Sequence, residues 1–281
     1  MNLWADSGEF LRRSVNGLAA VMFSLMVYST AIAGPVLIDT VPIGNPGNAS
    51  DMVTGLGSVG YEYRIGKYEV TNAEYAAFLN NVAATDTYEL YDSRMNSSIH
   101  GGIVRSGSSG SYTYSTKQGM ENKPVNFVLL QDAFRFANWL DNGQPIGLQD
   151  ALTTEDGAYT LNGAVLPQDL SSVTRNAGAT WWLPSIDEWY KAAYHMNDGV
   201  TGNYWVYPTS SDSPPDNSAP PGGSNSANYW PTLGTVSDVG AFVDAASAYG
   251  TFDQGGNVWE QNDSLSLGNV RTIRGGSWSS F

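Results

Sequence analysis

Turn-forming residues cut this chain into short pieces. Gly occurs 31 times and Pro 13 times in 281 residues. Each one inside a helical pattern costs roughly 1 kcal/mol (Gly) or 3 kcal/mol (Pro) relative to Ala, so apolar periodicity stops after about a dozen residues everywhere. A helical bundle and a coiled coil are excluded. A disordered acidic tail is excluded as well, because 42% of the residues are hydrophobic and 12% aromatic. Charged residues reach only 14%, against about 25% in an ordinary domain. The chain reads as a turn-rich globule.

Local signals place the first elements. Val36-Leu37-Ile38 and Val41 predict a first strand, closed by the turn Gly44-Asn45-Pro46-Gly47-Asn48. Tyr61 to Val70 alternates aromatic and β-branched residues and predicts a second strand. Thr71-Asn72-Ala73-Glu74 is a capping box, followed by Tyr75, Phe78, Leu79 and Val82 on one helical face. Residues 84–123 read as polar loop. A second helix is expected over 131–141, with Ala133, Phe136, Ala137 and Leu140 inward and Gly143 as its stop. Residues 142–180 read as irregular. Ser185-Ile186-Asp187-Glu188 is a second capping box, ahead of Trp189, Tyr190 and Ala193. Residues 208–226 form a long loop, and 227–281 read as short aromatic strands between Gly turns.

The formal charge is −14 and the isoelectric point about 4.3. So acidic a chain repels phosphate backbones and anionic membranes, so no nucleic-acid partner is expected. Cysteine is absent, which removes disulfides, thiolate metal sites and cysteine nucleophiles. At the N-terminus Arg12-Arg13 precedes the apolar run Leu18 to Val27, and Ala31-Ile32-Ala33 follows. These are the parts of a secretory signal peptide spanning 1–33, cut after Ala33. The mature domain, 34–281, is expected to be extracytoplasmic, periplasmic or secreted, with no membrane insertion after cleavage.

Gly55-Leu56-Gly57-Ser58-Val59-Gly60 matches G-x-G-x-x-G, but a strand rather than a helix is expected after it, so it reads as a turn. The two histidines, His100 and His195, are far apart and form no metal-ligand pair; His195 reads as structural. No G-x-S-x-G elbow supports a serine hydrolase.

Five stretches, taken in order, are more specific: Tyr68-Glu69-Val70-Thr71-Asn72-Ala73-Glu74-Tyr75; Pro124-Val125-Asn126-Phe127 with Ala137-Asn138-Trp139-Leu140; Trp182-Leu183-Pro184-Ser185-Ile186-Asp187-Glu188-Trp189; Gly255-Gly256-Asn257-Val258-Trp259-Glu260; and Arg274-Gly275-Gly276-Ser277-Trp278. Together they resemble the sulfatase-modifying factor family, the formylglycine-generating enzyme domain, over roughly 57–281. The resemblance implies one α+β domain with a C-type-lectin-like fold, short strands, a few capped helices and long loops. It also implies closing strands beyond 281, so the C-terminal end is expected to be incomplete.

Enzymes of this family oxidise a sulfatase cysteine to formylglycine with copper held by two cysteines. The resemblance puts Ser280 at the first of those positions. A hydroxyl is a poor ligand for Cu(I), so copper is not expected. A second branch, the sulfoxide synthases, needs three histidines on iron, more than this chain has. The resemblance further implies structural calcium at Asp253, Gly256, Val258 and Glu260; the apolar pair Val258 and Trp259 that follows the bend is expected to face the core. Carboxylate and carbonyl oxygens around a Gly turn suit such an ion. The other family calcium site, beginning at Asn228-Tyr229, meets a shortened segment. The reading is an exported, non-catalytic binding module for a peptide or glycan; the alternative is a formylglycine-generating oxidase.

Overall fold

The computed structural model describes residues 35–230, 232–266 and 271–280. The expected signal peptide lies outside them. Among the described residues the elements run β1 (Thr40–Ile43), β2 (Tyr63–Gly66), α1 (Asn72–Val82), α2 (Arg94–Ser97), β3 (Ile103–Ser106), β4 (Thr113–Thr116), α3 (Leu130–Asp141), α4 (Pro167–Leu170), α5 (Ile186–Tyr194), β5 (Glu260–Leu265) and β6 (Arg271–Arg274). The strands pair as three antiparallel two-stranded sheets: β1 with β2, β3 with β4, β5 with β6. No helix among the described residues is long and apolar enough to cross a membrane.

Both capping boxes form. Thr71 Oγ1 accepts from Glu74 N at 3.3 Å, and Glu74 Oε2 accepts from Thr71 N at 2.7 Å. Ser185 and Glu188 repeat the exchange at 3.1 and 2.6 Å. Two orphan amides are satisfied at each helix start, which fixes where α1 and α5 leave the preceding chain. Gly143, at φ +78°, ends α3 as expected.

The strands are shorter than their sequence patterns. β1 begins at Thr40, past Val36 and Ile38, and β2 ends at Gly66. Beyond Gly66 the chain is held singly: Lys67 N donates to Asp39 O, and Lys67 O accepts from Phe252 N. The 84–123 segment is not all loop, as its polarity had suggested. It carries the β3–β4 hairpin, registered Ile103 opposite Thr116. The reason lies on α1, where the Asn80 amide brackets Tyr114, donating to its O at 2.8 Å and accepting from its N at 2.9 Å. One side chain thus does for β4 what a third strand would.

The main core joins α1, the hairpin and α3. Phe78, Leu79, Leu90, Met95, Ile103 and Trp139 are fully buried. Phe78 meets Phe136 edge-on with ring centroids 5.3 Å apart, and Trp139 at 5.2 Å. α3 departs from its expected single stripe. Ala133 is only partly buried, while Phe134, Arg135, Asn138 and Trp139 are buried too, so the helix is enclosed on most sides. Arg135 tolerates this because Glu155 takes its Nε at 2.6 Å and its Nη2 at 3.0 Å. Breaking such a bidentate buried pair would leave an unpaired charge.

Candidate functional site

The segment Asp253 to Glu260 is a tight double bend leading into β5. Asp253, Gly256 and Asn257 all have positive φ, at 60°, 102° and 54°. Gly256 has no alternative, since a Cβ there would sit 2.3 Å from Asn228 O. The bend is tied on three sides. Gly256 N donates to Gly275 O, Asn257 N to Asn228 O, and Asn257 O accepts from Trp278 N, each at 2.8 Å.

Glu69, which sequence reasoning had left as a strand residue, closes the fourth side. Its carboxylate accepts from Asn257 Nδ2 at 2.7 Å and from Val258 N at 3.1 Å. Glu260 accepts from Trp189 Nε1 at 2.8 Å through Oε2, while its Oε1 is shut off from solvent and has no hydrogen-bond donor among the described residues. Asp253 Oδ2 accepts from Gly240 N at 2.6 Å.

Three carboxylates thus share one neighbourhood, and no ion pair to any of them occurs among the described residues. Burial raises all three. It pushes Glu260 up to about 7, with the Trp189 bond opposing and the Asp253 charge adding to the shift. It pushes Asp253 up to about 6 against the Gly240 amide. Glu69 is raised well above the carboxylate range by burial, and further by Asp253 and Glu260. The site is short of positive charge.

The acids do not all face one space. Glu69 and Glu260 line a cavity of about 600 Å3, whereas Asp253 lines a small void with Pro208 and Phe242. Val258 is buried, but Trp259 is 52% exposed. The expected inward-facing pair is therefore split: strand alternation starts at the end of the bend and sends Trp259 outward.

Ser280 lies at a second cavity of about 460 Å3, with Tyr207, Pro214, Pro215, Tyr229 and Trp259. No Lys, Arg, Asp or Glu lines it among the described residues. The Ser280 hydroxyl accepts from Ser277 N at 2.9 Å and lies 3.2 Å from Ser277 Oγ. It is engaged in closing the 277–280 turn. The sequence holds no thiol, and the Ser280 hydroxyl, at the position the resemblance gives to a cysteine, already has partners.

The remaining sequence candidates separate. His100 packs on Trp278 with centroids 4.3 Å apart, and Nδ1 lies 3.2 Å from Thr235 Oγ1. His195 is fully buried; its Nδ1 accepts from Asn197 N, and Nε2 meets Thr201 O at 3.2 Å. Gly57 N donates to Asp187 Oδ1 at 2.8 Å, and β2 follows the Gly55–Gly60 bend. Asn228 donates to Thr235 O and Asn257 Oδ1.

This arrangement of capped helices, a Gly-rich bend and a Ser280 cavity can be set against known proteins. The family model for the sulfatase-modifying factor enzyme 1-like domain matches residues 58–281. The chain belongs to the sulfatase-modifying factor family. Its α+β architecture is the C-type-lectin-like fold of that family. The crystal structure of CarF is similar at 22% identity, with a TM-score of 0.54, over 87% of this chain and 89% of that one. Variable protein 1 of Treponema denticola is similar at 18% identity, with a TM-score of 0.51, over 88% and 86%. At these identities the likeness is one of fold. No curated protein matches.

Proposed function

We propose that this chain is an exported, non-catalytic binding module that keeps the sulfatase-modifying scaffold without its oxidase chemistry. One observation carries the reading: at the position where the family holds copper by a thiolate, the Ser280 hydroxyl is committed to the 277–280 turn. The cavity beside it has aromatic and proline walls and no charged lining among the described residues. Such walls suit the flat apolar faces of an uncharged peptide segment or a glycan.

An oxygen-consumption assay with added copper and a Cys-x-Pro-x-Arg peptide tests the reading; no turnover is expected, and turnover would refute it. Export rests on the Arg12-Arg13, apolar and Ala31-Ile32-Ala33 succession. N-terminal sequencing of extracytoplasmic protein should begin at Gly34, and an intact Met1 would overturn it.

Calcium belongs to the same reading as a structural ion. The resemblance assigns it Asp253, Gly256, Val258 and Glu260; of these Glu260 would supply the charge and Gly256 and Val258 the carbonyl oxygens, while Asp253, which lines a different void, would have to turn toward them. In its favour are the donorless Oε1 of Glu260 and the local excess of negative charge.

A further inference from the structure

The walls of the Ser280 cavity hold few backbone donors. Three of its described residues are prolines, which have no N–H. The N–H groups of Tyr207, Gly256, Ser277 and Ser280 are already bonded within the chain. An extended peptide that docks by strand pairing needs a run of free N–H and C=O groups, and these walls do not offer one.

Two side chains on the same walls remain open. The hydroxyls of Tyr194 and Tyr207 have no hydrogen-bond partner among the described residues, and neither is shut off from solvent. Each can donate and accept. Tyr229 differs, since its hydroxyl is bonded to Pro215 O. Trp259, 52% exposed, adds a broad apolar face.

These features narrow the ligand. An anionic one meets no Lys or Arg in the lining, and approaches a chain of formal charge −14. A cationic one meets no carboxylate there. A proline-rich peptide brings carbonyl acceptors and few donors, so it uses the phenols in one sense only. A sugar hydroxyl both donates and accepts, and the C–H face of a pyranose ring is flat and apolar enough to lie on an indole.

We propose that the Ser280 cavity binds a neutral oligosaccharide, with one pyranose ring laid on Trp259 and hydroxyls bonded to Tyr194 and Tyr207. The proposal rests on the binding-module reading and narrows it to one ligand class.

The full chain is screened on an array of neutral oligosaccharides, sulfated and uronate-bearing oligosaccharides, and uncharged proline-rich peptides. The strongest ligand is then titrated calorimetrically. Capture is expected for neutral oligosaccharides alone. Tyr207→Phe removes one hydroxyl and should weaken binding about fivefold. Tyr207 lines this cavity and not the one holding Glu69, so that loss places the ligand here. Trp259 borders both cavities; Trp259→Ala should abolish binding and Trp259→Phe should keep most of it. Stronger capture of acidic oligosaccharides, capture of no oligosaccharide, or an affinity unmoved by Tyr207→Phe or by Trp259→Ala would each overturn the proposal. Should Trp259→Ala not fold, Tyr207→Phe decides by itself. Capture of proline-rich peptides in place of sugars would overturn it and leave the binding module standing, whereas copper-dependent turnover would refute the module itself.

Discussion

Replacing Glu260 by Gln should stabilise the metal-free protein at alkaline pH and weaken its response to calcium. The Glu260 pKa is raised in the folded state, from 4.5 to about 7. The folded chain therefore holds this proton more tightly than the unfolded one. The contribution is fully present below about pH 4.5 and is lost as pH rises through about 7. Moving from 4.5 to about 7 corresponds to about 3 kcal/mol lost by about pH 8. Gln keeps an acceptor for Trp189 Nε1 but puts an amide N–H where Oε1 had no partner, which returns about 1 kcal/mol of cost. The net gain is about 2 kcal/mol, or roughly 4–8 °C in melting temperature for a domain of this size. The assay is tryptophan-fluorescence melting in chelator at about pH 4.5 and about pH 8, with the variant ahead only at the higher value. Calcium at about 100 times its dissociation constant should then restore roughly 2.7 kcal/mol to the unmodified chain and less to the variant. A variant less stable than the parent at pH 8 in chelator would show that the Glu260 charge is compensated and that the reasoning fails. A parent melting temperature unmoved by calcium would remove the ion.

Gly256→Ala should prevent a stable fold, because its Cβ would meet Asn228 O at 2.3 Å with φ at +102°; a cooperative melt like the parent's would contradict this. Phe78→Ala should cost about 3–5 kcal/mol in chemical denaturation, since a fully buried ring leaves a cavity inside an aromatic cluster. Burial lowers the His195 pKa, so the unfolded chain binds this proton first. Its contribution should be intact above about pH 6.5 and fall as pH drops below that value; the His195 ring resonances in NMR should titrate below those of an unfolded peptide.

Sequence revealed the parts of the fold that are decided locally. The boxes Thr71–Glu74 and Ser185–Glu188 bind within four residues of themselves, and both helices start where those residues indicate. The β3–β4 hairpin was illegible because its strand register leans on Asn80, more than thirty residues away. Arg135 lies off the apolar stripe expected for its helix, and the partner that lets it be buried, Glu155, lies beyond any helical period. The site divides the same way. The Gly255-Gly256-Asn257-Val258-Trp259-Glu260 motif announced the bend. Glu69 did not announce its part in it, because an acid in an aromatic strand looks like a solvent-facing position until Asn257 and Val258 are folded against it. Nor could composition show that Asp253 and Glu260 line different cavities.

The link from Glu69 to Val258 spans 189 residues, and that has a kinetic consequence. Contacts so distant in sequence must await loop closure, and they slow folding relative to local ones. A chain emerging from its N-terminus completes α1 and its cap early, yet the bend before β5 has nothing to close on it until residue 258 is free. Glu69 waits through most of synthesis with its turn partners unmade. Both cavities take walls from this late segment, so the capacity to bind should arise in one final step. Pulsed hydrogen exchange during refolding should show the α1 amides protected well before the amide of Val258.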